Sequence, residues 1–317
     1  MIDYLGFGAL LALLALCAWL TWRARRLKSR AARWAGTGLA GLLTLALALV
    51  AGAAAYGAAQ LSRSYPNPAT QLTVARTPER IARGQRLANA CVGCHASNSQ
   101  LPLAGRDFTA GGPPVGTLYA ANLTPGGDLK GWSDGEIIRA IREGIHKDGR
   151  SLLIMPSQNF RNLSDDDVQA LVAFLRSQPP TASPTPPTRI NLMGALIVTL
   201  SGGAILSAQP PLAGPVTAPP PGPTAAYGQY LATSVGGCTE CHGPNLAGRT
   251  GGGNGPPGGP ALTALARRWS EAEFVQAIRT GKRPDGSALG EEMPWQQISA
   301  LASDDDLRAL YAYLATL

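Results

Sequence analysis

Two pentapeptides constrain this chain more than anything else in it: Cys91-Val92-Gly93-Cys94-His95 and Cys238-Thr239-Glu240-Cys241-His242. Each sets two thiols on adjacent helical positions, i and i+3, with a histidine directly after. Thiols so spaced can each form a thioether to one vinyl group of a single haem, and the following imidazole is then held under the iron. C-x-x-C-H is the attachment signature of c-type haem. The chain has five Cys and three His. A structural zinc site takes about four protein ligands, whereas each box supplies three and only Cys17 and His146 remain outside them. A redox or disulfide C-x-x-C has no need of a trailing His twice. Zinc and a redox disulfide are the competing readings. The expectation is two covalently bound haem c groups, one on Cys91, Cys94 and His95, the other on Cys238, Cys241 and His242.

The N-terminus predicts a transmembrane hairpin over residues 1–62. Residues 4–22 are an uncharged apolar run of bilayer-spanning length, and a second such run, rich in Leu, Ala and Gly, extends from Gly36 to Leu61. Between them stand Arg23, Arg25, Arg26, Lys28, Arg30 and Arg33. Positive charge beside membrane spans marks the cytoplasmic side, so both ends of the hairpin lie outside. That orientation agrees with haem c, which is attached outside the bacterial cytoplasm. A cleaved signal sequence ending near Ala53-Ala54-Ala55 is the alternative, but it leaves the first run without a purpose. Cys17, inside that run, reads as an ordinary lipid- or helix-facing residue.

The chain carries +7 overall. Without the six basic loop residues and Asp3, residues 62–317 retain 21 Lys/Arg against 19 Asp/Glu. The basic stretch is therefore a topology signal, and no nucleic-acid partner is implied.

The remainder is duplicated. Trp132-Ser133, Ala140-Ile141-Arg142, Gly144, Asp148-Gly149, Met155-Pro156 and Ser164-Asp165-Asp166-Asp167 return as Trp269-Ser270, Ala277-Ile278-Arg279, Gly281, Asp285-Gly286, Met293-Pro294 and Ser303-Asp304-Asp305-Asp306. The offset grows only from 137 to 139 along this run. Pro78 to about Ala90 and Ala225 to about Val235 are predicted helices leading into the boxes. Ser133–Glu143 and Ser270–Thr280 are amphipathic with Ser as N-cap. Each last helix starts at Ser-Asp-Asp-Asp, with acidic charge on its positive end. Val168, Leu171, Val172 and Leu175, like Leu307, Leu310, Tyr311 and Leu314, recur at core-facing helical spacing. Phe174 and Tyr313 read as packing residues.

This order of helix, haem box, loop, helix, Met and terminal helix resembles class I cytochromes c over residues 76–178 and 224–317. The fold class expected is all-α: a two-helix transmembrane hairpin followed by two cytochrome c-like domains, 76–178 and 224–317. The first domain is also similar to the cytochrome subunits of periplasmic alcohol and gluconate dehydrogenases, at Asn122-Leu123-Thr124-Pro125, Trp132-Ser133-Asp134, Ala140-Ile141-Arg142-Glu143-Gly144, Asp148-Gly149-Arg150 and Met155-Pro156. Those subunits typically carry three haem boxes, where this chain has two, and their membrane attachment is not an N-terminal hairpin.

The resemblance implies a methionine thioether opposite each histidine, a pairing that raises the reduction potential. Met155 and Met293 hold equivalent places before Pro, so the iron ligands expected are His95 with Met155 and His242 with Met293. His146 has no counterpart, since Arg283 stands opposite it, and reads as a solvated loop residue. It is the substitute should Met155 not bind iron. Each proximal His needs a carbonyl for its other ring nitrogen. Pro113 and Pro260 both lie 18 residues after their His, but aligning Leu123-Thr124 with Leu262-Thr263 sets Ala121 opposite Pro260 instead.

Residues 179–223 are a Pro-, Ser- and Thr-rich linker that contains an apolar segment, 190–206. At about 17 residues it is marginal as a span, and a third crossing would strand the second box in the cytoplasm. It reads as an inter-domain packing element or one resting on the bilayer; Met193 within it reads as merely apolar. The function expected is single-electron transfer on the outer face of a bacterial plasma membrane, with a redox protein or membrane oxidoreductase complex as partner. The alternatives are a fixed subunit of a larger oxidoreductase (dehydrogenase, quinol-oxidising complex or terminal oxidase) and a dihaem peroxidase, which would need an open iron position. An electron carrier is the expectation over a self-contained enzyme.

Overall fold

The computed structural model describes residues 2–317 except 99, 111–113, 183–184 and 252–257. Two helices, α1 (Leu5–Ala24) and α2 (Arg30–Leu61), are long and apolar enough to cross a membrane. Ser29 caps α2 by accepting from Ala32 N–H. Thr21 and Thr44 share a hydrogen bond of 3.2 Å between the two helices. Leu39, Leu42, Leu45 and Leu49 face outward, as a lipid-exposed helix requires.

The two repeats fold alike. In the first, α3 (Pro78–Leu87) and a 3-10 turn (Ala88–Ala90) lead into α4 (Val92–His95); α5 (Asp134–Glu143), α6 (Ser157–Phe160) and α7 (Asp165–Ser177) follow. After α8 (Leu192–Leu200), the second repeat gives α9 (Ala225–Thr233), α10 (Cys238–His242), α11 (Glu271–Thr280), α12 (Trp295–Leu301) and α13 (Asp304–Leu314). Ser133 and Ser270 each form a reciprocal capping box with the Glu three residues on, and Gly144 and Gly281 end those helices in the left-handed region.

First and last helices of each repeat cross at a glycine. A Cβ on Gly84 would lie 1.9 Å from the Ala170 carbonyl oxygen, and one on Gly228 would lie 1.9 Å from that of Ala309. These residues are equivalent in the two copies, so the crossing is duplicated along with the boxes. Alanine at either position is expected to destabilise its domain by about 1–3 kcal/mol, the usual cost of overpacking. The thermal unfolding midpoint of the detergent-solubilised protein measures it.

The protein is mostly helical rather than purely so. Outside the helices, backbone groups of the first repeat's loop and of the linker must find other partners, and short strands supply part of these. β1 (Arg106–Asp107) pairs with β3 (Tyr119–Ala120), and β2 (Gly116–Thr117) pairs with β4 (Arg189–Ile190), all antiparallel. The β2–β4 pair ties the linker to the first repeat. The linker packs there at other points too: Thr181 O accepts from Asn122, and Val216 O accepts from Asp165 N–H at the start of α7. The apolar segment 190–206 contacts the hairpin and the first repeat. It forms α8 against α2, where Thr199 donates to Ala53 O at 2.7 Å.

Candidate haem centres

In the first box the turn before α4 brings Cys91 N–H to Ala88 O, and His95 N–H returns to Cys91 O at 2.8 Å. The His95 Nδ1–H donates to Ala121 O at 2.9 Å. That bond leaves the Nε2 lone pair as the ring's metal-binding atom. Burial holds the imidazole below the ordinary histidine range, opposed in part by the Ala121 carbonyl and Asp128. In the second box His242 is buried and its Nδ1–H donates to Pro260 O at 2.7 Å. A Cβ at Gly259 would lie 2.8 Å from that same nitrogen, so glycine there lets the ring lie against the backbone. The expectation for Pro260 holds. For the first box the carbonyl is that of Ala121, the residue set opposite Pro260 by the Leu-Thr alignment; Pro113 lies outside the described residues.

A shared turn closes both boxes. Gly105 N–H donates to His95 O at 2.8 Å and Gly248 N–H to His242 O at 2.9 Å. Both glycines have positive φ, +89° and +93°, which a side chain would strain. The Leu-Ala-Gly triplets ending at these residues are the sequence signal for this turn. The buried Asn122 and Thr124 fix the next stretch: Asn122 Oδ1 accepts from Thr124 N–H and Oγ1–H at 2.9 and 2.8 Å, and Asp128 accepts from Asn122 N–H. This network holds the Ala121 carbonyl in place. Sequence reasoning singles out Asn122 and Thr124 but gives them no such role.

No disulfide joins any of the five cysteines. Before haem is attached, burial pushes the Cys91 thiol up to about 12 and that of Cys238 up to about 11. A pair of free thiols beside a histidine whose second nitrogen is already engaged fits covalent haem attachment. Among the described residues no three His, Cys, Asp or Glu side chains converge as a metal site.

The two Met loops have one conformation. Pro156 has φ −79°, ψ 53° and Pro294 φ −80°, ψ 52°. Ser157 N–H reaches Met155 O, and Trp295 N–H reaches Met293 O, each at 2.8 Å. Each is an inverse γ-turn, and both Met side chains pack against the core. The repeated Ala-Ile-Arg supplies the clamp beyond each loop. Arg142 pairs with Asp165 at 2.7 Å and donates to Leu163 O; Arg279 pairs with Asp304 at 2.7 Å and donates to Ala302 O at 2.8 Å. His146 turns to other partners: its ring packs edge-on to Trp132 at 4.9 Å, and Nδ1 meets Asp148 at 2.9 Å. Met193 lies exposed on α8.

Each repeat covers the other's box. From α6, just after Met155, Gln158 and Asn159 donate to Glu240 of the second box at 2.9 and 2.8 Å. From α12, just after Met293, the Ala300 carbonyl accepts from Asn89 beside the first box at 3.4 Å. Burial raises the Cys94 and Cys241 thiols, and the Glu240 carboxylate adds to both, with Arg106 opposing at Cys94 and Arg249 at Cys241. One carboxylate thus lies in the field of both boxes.

Tyr230 locks this arrangement. Its hydroxyl donates to Asp167 at 2.6 Å and accepts from Ser164 N–H at 3.0 Å, while Arg83 pairs with the same Asp167. In the second repeat Asp306 instead closes an ordinary capping box with Ser303. Tyr230→Phe removes the partner of the buried Ser164 N–H and of one Asp167 oxygen, the other staying with Arg83, and is expected to lower stability by about 1–3 kcal/mol. Denaturant unfolding reads the loss.

Residues 81–179 match the family model for cytochrome c, and residues 223–314 match that for cytochrome c oxidase, cbb3-type, subunit III. Among curated relatives, the chain is 34% identical to a nicotinate dehydrogenase subunit of Pseudomonas putida, over 75% of this chain and 21% of that protein. It is 30% identical to the cytochrome c subunit of the quinone alcohol dehydrogenase of Gluconobacter oxydans, over 75% and 54%. It is 28% identical to the gluconate 2-dehydrogenase cytochrome c subunit of Pantoea cypripedii, over 75% and 59%. The chain therefore spans about a fifth of the first relative and little more than half of the others. With a cytochrome c domain around each C-x-x-C-H box, it belongs to the dihaem c-type cytochromes and carries two covalent haem c groups.

Proposed function

We propose that the chain relays single electrons through its two domains in series, on the outer face of a bacterial plasma membrane, for a membrane-bound dehydrogenase. Haem c supplies a reversible one-electron iron centre whose potential the protein sets. Cys91, Cys94, Cys238 and Cys241 attach it. His95 and Met155 bind one iron, and His242 and Met293 the other. The observation that carries the serial reading is the reciprocal cover: Gln158 and Asn159 on the second box, α12 on the first. This packing fixes the separation of the two boxes.

The hairpin α1–α2 is read as two spans with the basic loop in the cytoplasm, which places both haem domains outside. Tethering raises the effective concentration of the domains beside a membrane partner. The names of the relatives supply the dehydrogenase class of that partner. The test is purification from native membranes in mild detergent, with mass spectrometry of what accompanies the chain. A dehydrogenase polypeptide in stoichiometric amount supports the proposal. Recovery of the chain alone, with two reducible haems, contradicts a fixed dehydrogenase partner and leaves a tethered carrier.

A further inference from the structure

We propose that α8 and the turn after it, residues 192–206, dip into the outer leaflet and seat the first haem domain on the bilayer with its Met155 loop against the membrane. This rests on the reading of α1 and α2 as membrane spans. Exposed aromatic residues mark where that membrane begins and ends. Trp19, Trp22 and Trp34 ring the basic end of the hairpin, and Tyr4 and Tyr56 ring the other. Such belts sit at the headgroup level. Trp34 to Tyr56 is 22 residues, about 33 Å of helix, which matches a hydrocarbon core of about 30 Å.

The apolar segment meets α2 at and below the outer belt. A Cβ on Gly57 would lie 1.9 Å from Ala195 O, and Thr199 donates to Ala53 O. Ala195 thus lies level with the belt and Thr199 about one turn deeper, so α8 descends along α2 antiparallel to it. At its lower end stands Leu200, 81% exposed, with Met193 49% exposed on the same short helix. Nine residues, about 14 Å, are too short to cross. The chain instead reverses at Gly202 and Gly203, both at positive φ. Gly203 N–H donates to Val198 O at 2.8 Å and Gly202 N–H to Thr199 O at 3.1 Å. With Ser201 O and Gly203 O also paired, to Ala204 N–H and Leu206 N–H, these bonds lower the cost of placing the reversal in the leaflet.

The returning strand braces the Met155 loop. Ile154 N–H donates to Ile205 O and Ser207 N–H to Leu152 O, each at 2.9 Å, with Leu153 bridged to Leu206. Ile154 is 54% exposed and carries φ +62°, a strained conformation for a β-branched residue. The bracing points its apolar surface out beside the same segment. The occupant of this patch is the acyl-chain and glycerol region of a phospholipid leaflet, since the patch continues the lipid-facing surface of α2.

The test uses the full holoprotein, without partners, in phosphatidylcholine nanodiscs. A phosphatidylcholine with a photoactivatable diazirine tail is expected to label peptides from 192–206 as well as those from the hairpin. In a Cys17→Ser background, Leu200→Cys is expected to react with a water-soluble maleimide on the order of tenfold more slowly than Ala213→Cys, an exposed linker position, as an interfacially immersed site would. Photolabelling confined to residues 5–24 and 36–61, with Leu200→Cys as reactive as Ala213→Cys, overturns the proposal and means that a protein partner covers the patch. Failure to label the hairpin overturns the anchor reading itself, a distinct result.

Discussion

Serine at both Cys238 and Cys241 is expected to leave a chain with one covalent haem in place of two, and serine at Cys91 and Cys94 to do the same from the other side. Both thiols of a box are needed because each forms one thioether, and no disulfide in the structure engages any of the four. The two deletions will not be wholly independent. Loss at the second box disturbs Glu240 and so releases Gln158 and Asn159, which follow Met155. Loss at the first box disturbs the turn on which α12 rests, beyond Met293. The surviving haem in each variant is therefore expected to show a shifted potential. Haem per polypeptide and the residual titration curve measure the two effects together. A variant that keeps both haems would contradict the assignment of the boxes.

Met155→Ala and Met293→Ala are each expected to lower the potential of one haem by on the order of 100 mV, because loss of a thioether ligand removes what raises it. The affected haem should also become reactive towards carbon monoxide when reduced, while its neighbour stays closed. The loops differ in support. Met155 follows a segment braced by Ile205 and Ser207, whereas bonds before Met293, such as Leu289 N–H to Gly281 O and Met293 N–H to Gly290 O, stay within its own loop. Mild denaturant is accordingly expected to open the second haem to carbon monoxide before the first. If neither substitution moves a potential, the thioether assignment is wrong. His146 does not stand ready as a replacement, since it is paired with Asp148 and packed on Trp132.

Much of this was legible in the residues because it is local. The boxes, the Ser caps of α5 and α11, the acidic starts of α7 and α13 and the two apolar runs each depend on neighbours within a turn or two. The duplication added long-range information: it paired Met155 with Met293 and offered Ala121 as the counterpart of Pro260. What stayed hidden is carried by backbone atoms or by distant partners. Ala121 contributes only its carbonyl, so its side chain gave no signal. Asp167 reads as a capping residue like Asp306, yet its carboxylate is taken by Arg83 and by Tyr230 from the other repeat. The Pro-rich linker reads as a connector between domains, and its residues gave no sign that Thr181, Ile190 and Val216 pack on the first domain. The glycine at 57 looks like one of many in an apolar helix until Ala195 is seen against it.

One chain holding two covalent haems should pass two electrons, one at each iron. Spectroelectrochemical titration of the intact detergent-solubilised protein, with its haem content measured on the same sample, tests it most directly. The expected result is two haems that resist acid–acetone extraction and two reversible one-electron transitions, with neither reduced haem binding carbon monoxide. A single transition, extractable haem, or ready carbon monoxide binding by one reduced haem would rule out two six-coordinate covalent haems, the last by pointing to an open iron position.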